Sequence, residues 1–365
     1  MTDGSKKIKR RTLYFDVLWV ISIFFLIFAF TDGVYAWLDY DVASFPYYVS
    51  LFGALFARFP LWLCLMISGA ILLDMHESIR IVWGRRILRV VIILVLFSLI
   101  YYISNIAQGT EEEGFSIMKF CRDIYSREII TQFWYLYAYI GFLVCLPFLR
   151  PMVKNMRNCD FVYLIMAVFV LSSILPLINT LVHTDRYDLN PSMKLNWIME
   201  VIFIYPVMGY YFHHRMSIRS CRKIAPILLA VDLIWMIFTS HVLANSGVSS
   251  GDYYMYPAYH SNVTMLHCVT LFVGAKALFD RPEKKAWERV FGSLGGCSLG
   301  IYLLSPVFLS GKVDWITNWH QDIMGDANRL GRMGKALIWS LIVYFVCLIP
   351  IWLIRRIPAA RKLTL

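Results

Sequence analysis

The sequence predicts an all-α integral membrane protein that crosses the bilayer about ten times, with both termini in the cytoplasm. Composition is the first observation behind this class: 59% of the 365 residues are hydrophobic, 16% are charged, and the mean hydropathy is +0.60. Soluble globular domains carry roughly 25% charged residues. The succession of apolar stretches and the distribution of basic residues are the second and third observations, and the main expected partner is the lipid bilayer.

About ten apolar stretches follow one another along the chain, with lengths near those of membrane-spanning helices. They lie near residues 13–31, 51–73, 87–105, 133–150, 161–182, 196–212, 224–242, 261–279, 296–310 and 336–354. Because lipid offers the backbone no hydrogen-bond partners, each stretch is predicted to be an α-helix. Residues 1–365 are therefore predicted to form a single transmembrane domain with basic tails at 1–12 and 355–365.

Basic residues alternate between the segments that join these stretches. The N-terminus and every second segment after it hold 25 of the 35 lysines and arginines, and the other segments contain acidic runs such as TEEEG. Cytoplasmic loops are enriched in Lys and Arg, which places both termini in the cytoplasm. Trp134, Tyr135, Tyr137 and Tyr139 then fall at an outer boundary and predict an interfacial aromatic belt.

The predicted topology accounts for the formal charge of +11, because most of the basic residues fall in predicted cytoplasmic segments. A basic excess in short cytoplasmic loops orients a membrane protein, so no nucleic-acid partner is predicted. The eight cysteines show no CxxC spacing, and most fall in predicted spans. Neither a disulfide framework nor a metal site is therefore expected.

Three arginines stand out in the stretch SGAILLDMHESIRIVWGRRILR. Arg85, Arg86 and Arg89 are spaced so that, on an α-helix entering the membrane, all three share one face at the cytoplasmic end. One interpretation is that they snorkel into lipid headgroups as anchors. The other is that their guanidinium forks bind the phosphates of a cytosolic cofactor bidentately. Spacing alone leaves both interpretations open.

Several motifs resemble those of the bacterial inner-membrane acyltransferase-3 family. RFPLWLCLMISGAILLDMHESIRIVWGRRILRVVIIL is similar to its second and third spans, in which an R-x-x-R pair opens the third, and Arg86 and Arg89 match that pair. FWYLYAYIGFLVCLPFLR resembles its fourth span, YHSNVTMLHCVTLFVGAKAL its eighth and SLGIYLLSPVFL its ninth. The resemblance covers nearly the whole chain and preserves order and spacing.

The resemblance implies an enzyme of the inner membrane that moves an acyl group, usually acetyl from cytosolic acetyl-CoA, onto a hydroxyl of a surface or lipid-linked glycan. Arg86 and Arg89, together with Arg85, would then face the phosphates of acetyl-CoA or another acyl-CoA. It also implies partners in polysaccharide biosynthesis. No metal is implied.

The chain departs from the family pattern where chemistry is expected. Trp19 stands at the position of the first-span arginine, Phe30 at that of the first-span histidine, and Ser305 at that of the histidine before Pro306. An indole cannot bind phosphate as a cation, and a phenyl ring cannot accept a proton. Activity therefore requires another general base.

Two residues are candidates for that base. Asp32 lies at the outer end of the first span, two residues beyond Phe30, and His267 lies well inside the eighth. An ionisable group inside the membrane is by default a functional candidate, although a buried histidine bonded to a carbonyl is common. Sequence does not decide between them.

Two other classes of function stay open. A catalytically silent relative that binds, or helps to export, a glycan or lipid explains the three losses most directly. A secondary transporter is suggested by Glu200 and Asp232, two acids within predicted spans that would couple to protons. Against the transporter, the two halves show no matching pair of spans broken by Gly or Pro.

Overall fold

The computed structural model describes residues 12–31, 44–108, 114–126, 128–175, 178, 200–245, 257–280, 285–309, 314–324 and 331–356. These residues are almost entirely helical and contain no strand. In chain order the helices are α1 Leu13–Ala29, α2 Phe45–Phe56, α3 Pro60–Leu72, α4 Ile79–Ala107, α5 Ile117–Ser126, α6 Thr131–Asn155, α7 Asn158–Ile174, α8 200–215, α9 Ile218–Asn245, α10 Pro257–Phe279, α11 Lys285–Leu304, α12 Pro306–Leu309, α13 Asp314–Met324 and α14 Gly331–Ile354.

Membrane-spanning length is reached by five of the described helical segments, namely α2 with α3, α4, α6, α9 and α14. Three shorter apolar helices are α1, α7 and most of α10. Each of the ten predicted stretches overlaps a described helix, but ten crossings stay a prediction. The cytoplasmic location of the termini also stays a prediction, since residues 1–11 and 357–365 lie outside the described residues. The short helices α5 and α13 were not predicted.

Helix α1 lies at the centre of the bundle, packed against α3, α10, α11 and α14. Its sequence is apolar on every side, as expected of a helix surrounded by other helices. Asp16, in its first turn, is nonetheless buried. The outer helices α4, α9 and α14 instead expose large aliphatic side chains, such as Leu96, Ile237 and Ile349. Such a surface suits contact with lipid tails.

The second predicted span is broken in its middle. Helix α2 starts with Ser44, whose hydroxyl accepts a hydrogen bond from the Tyr47 amide, and it ends at Phe56. Helix α3 begins at Pro60. Proline is favoured at the first helical position, because a backbone N–H there would have no partner within the helix and proline has none. The break at residues 57–59 places the rings of Phe56 and Phe59 at the same level as Phe25 of α1.

The contact between α3 and α8 depends on two glycines. A Cβ on Gly69 would overlap the backbone of Pro206, and a Cβ on Gly209 would overlap the carbonyl of Met66. Small residues at a helix crossing let the backbones approach closely inside a membrane. This crossing fixes α8 against the end of α3 that leads to the arginine-rich segment.

The arginine cluster sits on an irregular helix. Residues Val82–Ile87 of α4 form a π-helical turn, which contains Arg85 and Arg86, and regular α-helix resumes at Leu88. A π-turn changes the angular spacing of its residues, so the helix that carries the three arginines is not a regular α-helix throughout. Such turns occur frequently at functional sites.

Candidate functional site

A cavity of about 980 Å³ lies among α1, α3, α4, α6, α8 and α11. Glu77 and the arginine cluster line one end of it. Ile23 and Leu61 are the lining residues that lie furthest along α1 and α3 from that end. Small-molecule sites usually occupy roughly 300–1,000 Å³, so the cavity can hold a large, extended ligand.

Arg85, Arg86 and Arg89 all line this cavity. The side chain of Arg85 is exposed, whereas Arg86 and Arg89 are half-buried. The π-turn thus keeps the three guanidinium groups at one opening despite its irregular spacing. Three adjacent cations create a positive potential that suits an anionic ligand.

Glu77 fixes the orientation of Arg86. The Nε and one terminal nitrogen of Arg86 donate hydrogen bonds of 2.8 and 2.6 Å to the two carboxylate oxygens of Glu77. These bonds hold the pKa of the Glu77 carboxyl below its usual range. Two nitrogens of the Arg86 guanidinium are thereby bonded to a carboxylate, while phosphate binding by Arg85, Arg86 and Arg89 stays a prediction.

Arg150 of α6 holds Glu77 from the opposite side. It donates to Glu77 Oε2 at 3.1 Å, to the Glu77 carbonyl at 3.2 Å and to the Leu72 carbonyl at 3.1 Å. Its side chain is only 8% exposed. Because Arg150 is fixed by backbone groups, the loop that carries Glu77 and the position of Arg86 are fixed as well. Arg85 and Arg89 line the same cavity beside this group.

Aromatic side chains from three helices form the interior walls of the cavity: Trp19, Tyr135, Tyr139 and Tyr302. The Tyr302 hydroxyl donates to the Gln132 carbonyl at 2.6 Å. The prediction of an outer aromatic belt is wrong for Tyr135 and Tyr139. Helix α6 turns these two rings into the bundle, whereas the sequence signal for a belt depends only on the position along a span.

His213 and His214 also line the cavity. The ring of His213 is hydrogen-bonded to the Tyr14 hydroxyl, and His214 Nε2 donates to the Ala70 carbonyl at 2.9 Å. In the sequence they belong to a basic segment with no distinguishing spacing. They enter the site only because α8 crosses α3 at the paired glycines.

The three departures from the family pattern have different surroundings. Trp19 faces the cavity, half-buried, whereas Phe30 ends α1 and does not line it. The Ser305 hydroxyl donates to the Tyr302 carbonyl at 3.2 Å. Asp32, the first candidate base, lies outside the described residues, as does the side chain of Glu200.

His267, the second candidate base, forms a buried pair with Asp232. Nδ1 of His267 lies 2.6 Å from Oδ2 of Asp232, and the side chains are 5% and 1% exposed. The rings of Phe56 and Phe59 flank the imidazole, with centroids 4.6 and 5.2 Å away. Sequence reasoning named both residues but in separate hypotheses, and the packing of α9 against α10 joins them.

A bundle of apolar helices around an internal cavity with arginines at one end defines a helical membrane protein. The family model described as an acyltransferase domain matches residues 12–356. The chain therefore belongs to the acyltransferase-3 family, as its motifs predicted. No curated protein and no solved structure matched the chain.

Proposed function

We propose that this protein is an inner-membrane O-acyltransferase. It takes an acyl group, in the first instance acetyl, from cytosolic acyl-CoA and transfers it to a hydroxyl of a surface or lipid-linked glycan. The observation that carries the proposal is the cavity itself, because it joins a cluster of arginines at one opening to an interior between the helices.

The charges at the opening suit the phosphate end of an acyl-CoA. Arg85 and Arg89 line the opening beside Arg86, and Glu77 neutralises only part of the cluster because Arg150 shares it. Charge-assisted bonds from arginine to phosphate are among the strongest polar contacts in proteins. Phosphate binding by this cluster is therefore favoured over a role as lipid anchors.

The interior of the cavity suits the acyl end. Ile23, Leu61 and Leu136 give it apolar walls, and Tyr135 and Tyr302 add aromatic surface. A flexible, uncharged acyl-pantetheine arm fits such a wall, whereas the phosphates do not. The orientation that follows has the phosphates at the arginines and the thioester deep in the bundle.

A transfer assay tests this function. Purified protein in lipid nanodiscs is incubated with acetyl-CoA labelled in the acetyl group and with a membrane glycan fraction. We expect alkali-labile label on the glycan, as an O-ester requires. Protein that binds CoA but transfers no label to any glycan fraction would overturn the proposal.

A catalytically silent, glycan-binding relative is the second candidate function. It is favoured by the apolar residues Trp19 and Phe30 at the positions of the family arginine and histidine. This candidate predicts glycan binding without ester formation in the same assay. The transporter hypothesis would instead require proton-coupled transport into proteoliposomes. The structural reason to consider it is the buried carboxylic acid of Asp232, which is paired with His267.

A further inference from the structure

We propose that Asp232 and His267 form the general base of acyl transfer and so replace the missing first-span histidine. This inference rests on the proposed function and names the residues that perform its proton transfer. Four points support it: the geometry of the pair, its position relative to the cavity, the buried polar atoms on the same helices and the proton balance of the reaction.

The pair has the geometry of an oriented base. A carboxylate only accepts hydrogen bonds, so in the proposed base the proton of His267 lies on Nδ1, 2.6 Å from Oδ2 of Asp232. Nε2 then carries the lone pair that can accept a proton. It is buried and has no hydrogen-bond partner among the described residues. Asp232 holds the tautomer and stabilises the imidazolium that forms.

The pair lies just beyond the inner end of the cavity. Ile23 and Leu61 line that end. Phe25 lies two residues beyond Ile23 on α1, and Phe59 lies two residues before Leu61, at the break that precedes α3. The rings of Phe25 and Phe59 pack together with centroids 5.5 Å apart, and Phe59 contacts His267. Two residues of α1 correspond to about 3 Å of rise, so Phe25 lies within one helical turn of the cavity end, and Phe59 links it to the base.

Buried hydroxyl groups extend from the pair along the contact of α9 with α10. Thr239 lies seven residues beyond Asp232 on the same helical face, and Thr264 lies one turn from His267. Within the described part of the chain, their hydroxyl oxygens, His267 Nε2 and Asp232 Oδ1 are all buried without a hydrogen-bond partner. Buried polar atoms are normally bonded, so the groups nearest the pair, Thr264 Oγ1 and Asp232 Oδ1, have the chemistry to bind the hydroxyls of an acceptor sugar.

The reaction balances with this base. The acceptor hydroxyl oxygen attacks the thioester carbonyl carbon and forms the new C–O bond, while its proton moves to Nε2 of His267. The C–S bond then breaks, and the imidazolium returns the proton to the sulfur, which leaves as the thiol of CoA. The ring of Phe59 contacts the imidazole and must turn aside for the thioester to reach it.

The variants His267→Gln and Asp232→Asn test the base in the labelled-acetyl assay. Each should lower transfer by about 10²- to 10⁴-fold, the usual contribution of a general base. Binding of CoA, measured with CoA alone by calorimetry, should stay unchanged because the arginine opening is intact. Thr270→Val is the matched control on the same helix, since its hydroxyl donates only to the Leu266 carbonyl among the described residues, and it should transfer normally.

The outcomes separate this inference from the proposed function. If the unmutated protein transfers acetyl and His267→Gln transfers within threefold of it, the base is elsewhere and the acyltransferase function stands. If the unmutated protein binds CoA but transfers nothing, both are overturned. Should the variants not fold, the pH–rate profile of the unmutated protein decides, because a histidine base requires a limb that rises with pH. A flat profile contradicts the proposal.

Discussion

Glu77 accepts two hydrogen bonds from the guanidinium of Arg86 and lies between Arg86 and the buried Arg150. Arg86, the first arginine of the R-x-x-R pair, is thus held by a carboxylate at the opening of the cavity, and Arg89, the second, lines the same opening.

Replacing Glu77 with glutamine should destabilise the protein by about 2 kcal/mol, because charge-assisted hydrogen bonds are lost and Arg150 stays buried without its carboxylate. Thermal unfolding in detergent measures the change. Asp160→Asn is the matched control. Asp160 pairs with an Arg157 that is 80% exposed, so this change should lower stability much less than Glu77→Gln. Equal effects of the two changes would contradict a special role for Glu77.

Acid should remove the contribution of Glu77. Its pKa is lowered in the folded protein, mainly by the hydrogen bonds from Arg86, so it stabilises the fold above the unfolded value of about 4.3. That contribution is lost as the pH falls through the lowered folded pKa. The difference in Tm between the unmutated protein and Glu77→Gln should therefore shrink from pH 7 towards pH 3. A constant difference would show that the ionised carboxylate is not responsible.

Changing both Arg85 and Arg89 to glutamine should weaken CoA binding by at least about tenfold, since one arginine–phosphate contact is worth more than 1.4 kcal/mol. The loss should be greatest at low salt, because exposed charges are screened by ions. Calorimetry with CoA checks both statements. Arg157→Gln removes an exposed cation outside the cavity and should leave the affinity unchanged. If Arg157→Gln weakens CoA binding as much as the double change does, the attraction comes from the overall positive charge and not from the arginines of the cavity.

Trp19→Arg should strengthen CoA binding by about tenfold, because it adds a cation to the wall of the cavity. Trp19→Gln is the uncharged control and should not reproduce the gain. Phe30→His should leave CoA affinity unchanged, since Phe30 does not line the cavity. The insertion and yield of each variant are measured first, as an arginine within an apolar span is costly. A gain with Trp19→Gln would assign the effect to removal of the indole.

Lys276→Met should lower stability by about 3 kcal/mol. The buried ammonium donates to the carbonyls of Phe212, His213 and Met216 at 2.8, 2.8 and 2.7 Å, which satisfies the end of α8. Losing the cation leaves buried carbonyls unsatisfied. Thermal unfolding measures the effect, with the exposed Lys223→Met as control. A Lys276 variant as stable as the control would rule out this capping role.

The family and the helical class were predictable from sequence because they depend on local properties. A bilayer leaves the backbone no partner but itself, so long apolar stretches must be helices wherever they pack. The R-x-x-R pair of Arg86 and Arg89 was recognisable for the same reason, as its spacing lies within one helix. The break of the second span before Pro60 and the π-turn around Arg85 were missed. Pro60 is a local signal that lies within an otherwise apolar stretch, and the spacing of Arg85 and Arg86 does not mark a π-turn.

The composition of the site was decided by tertiary structure. Glu77 and Arg150 are 73 residues apart in the chain, and Asp232 and His267 are 35 apart. No periodicity within one helix encodes such a pairing. It follows from which helix faces meet, as where Gly209 lets α8 approach α3. The sequence thus determined that the protein lies in a membrane, that it is helical and where its arginines cluster. Packing decided which charged side chains form ion pairs and which face the cavity.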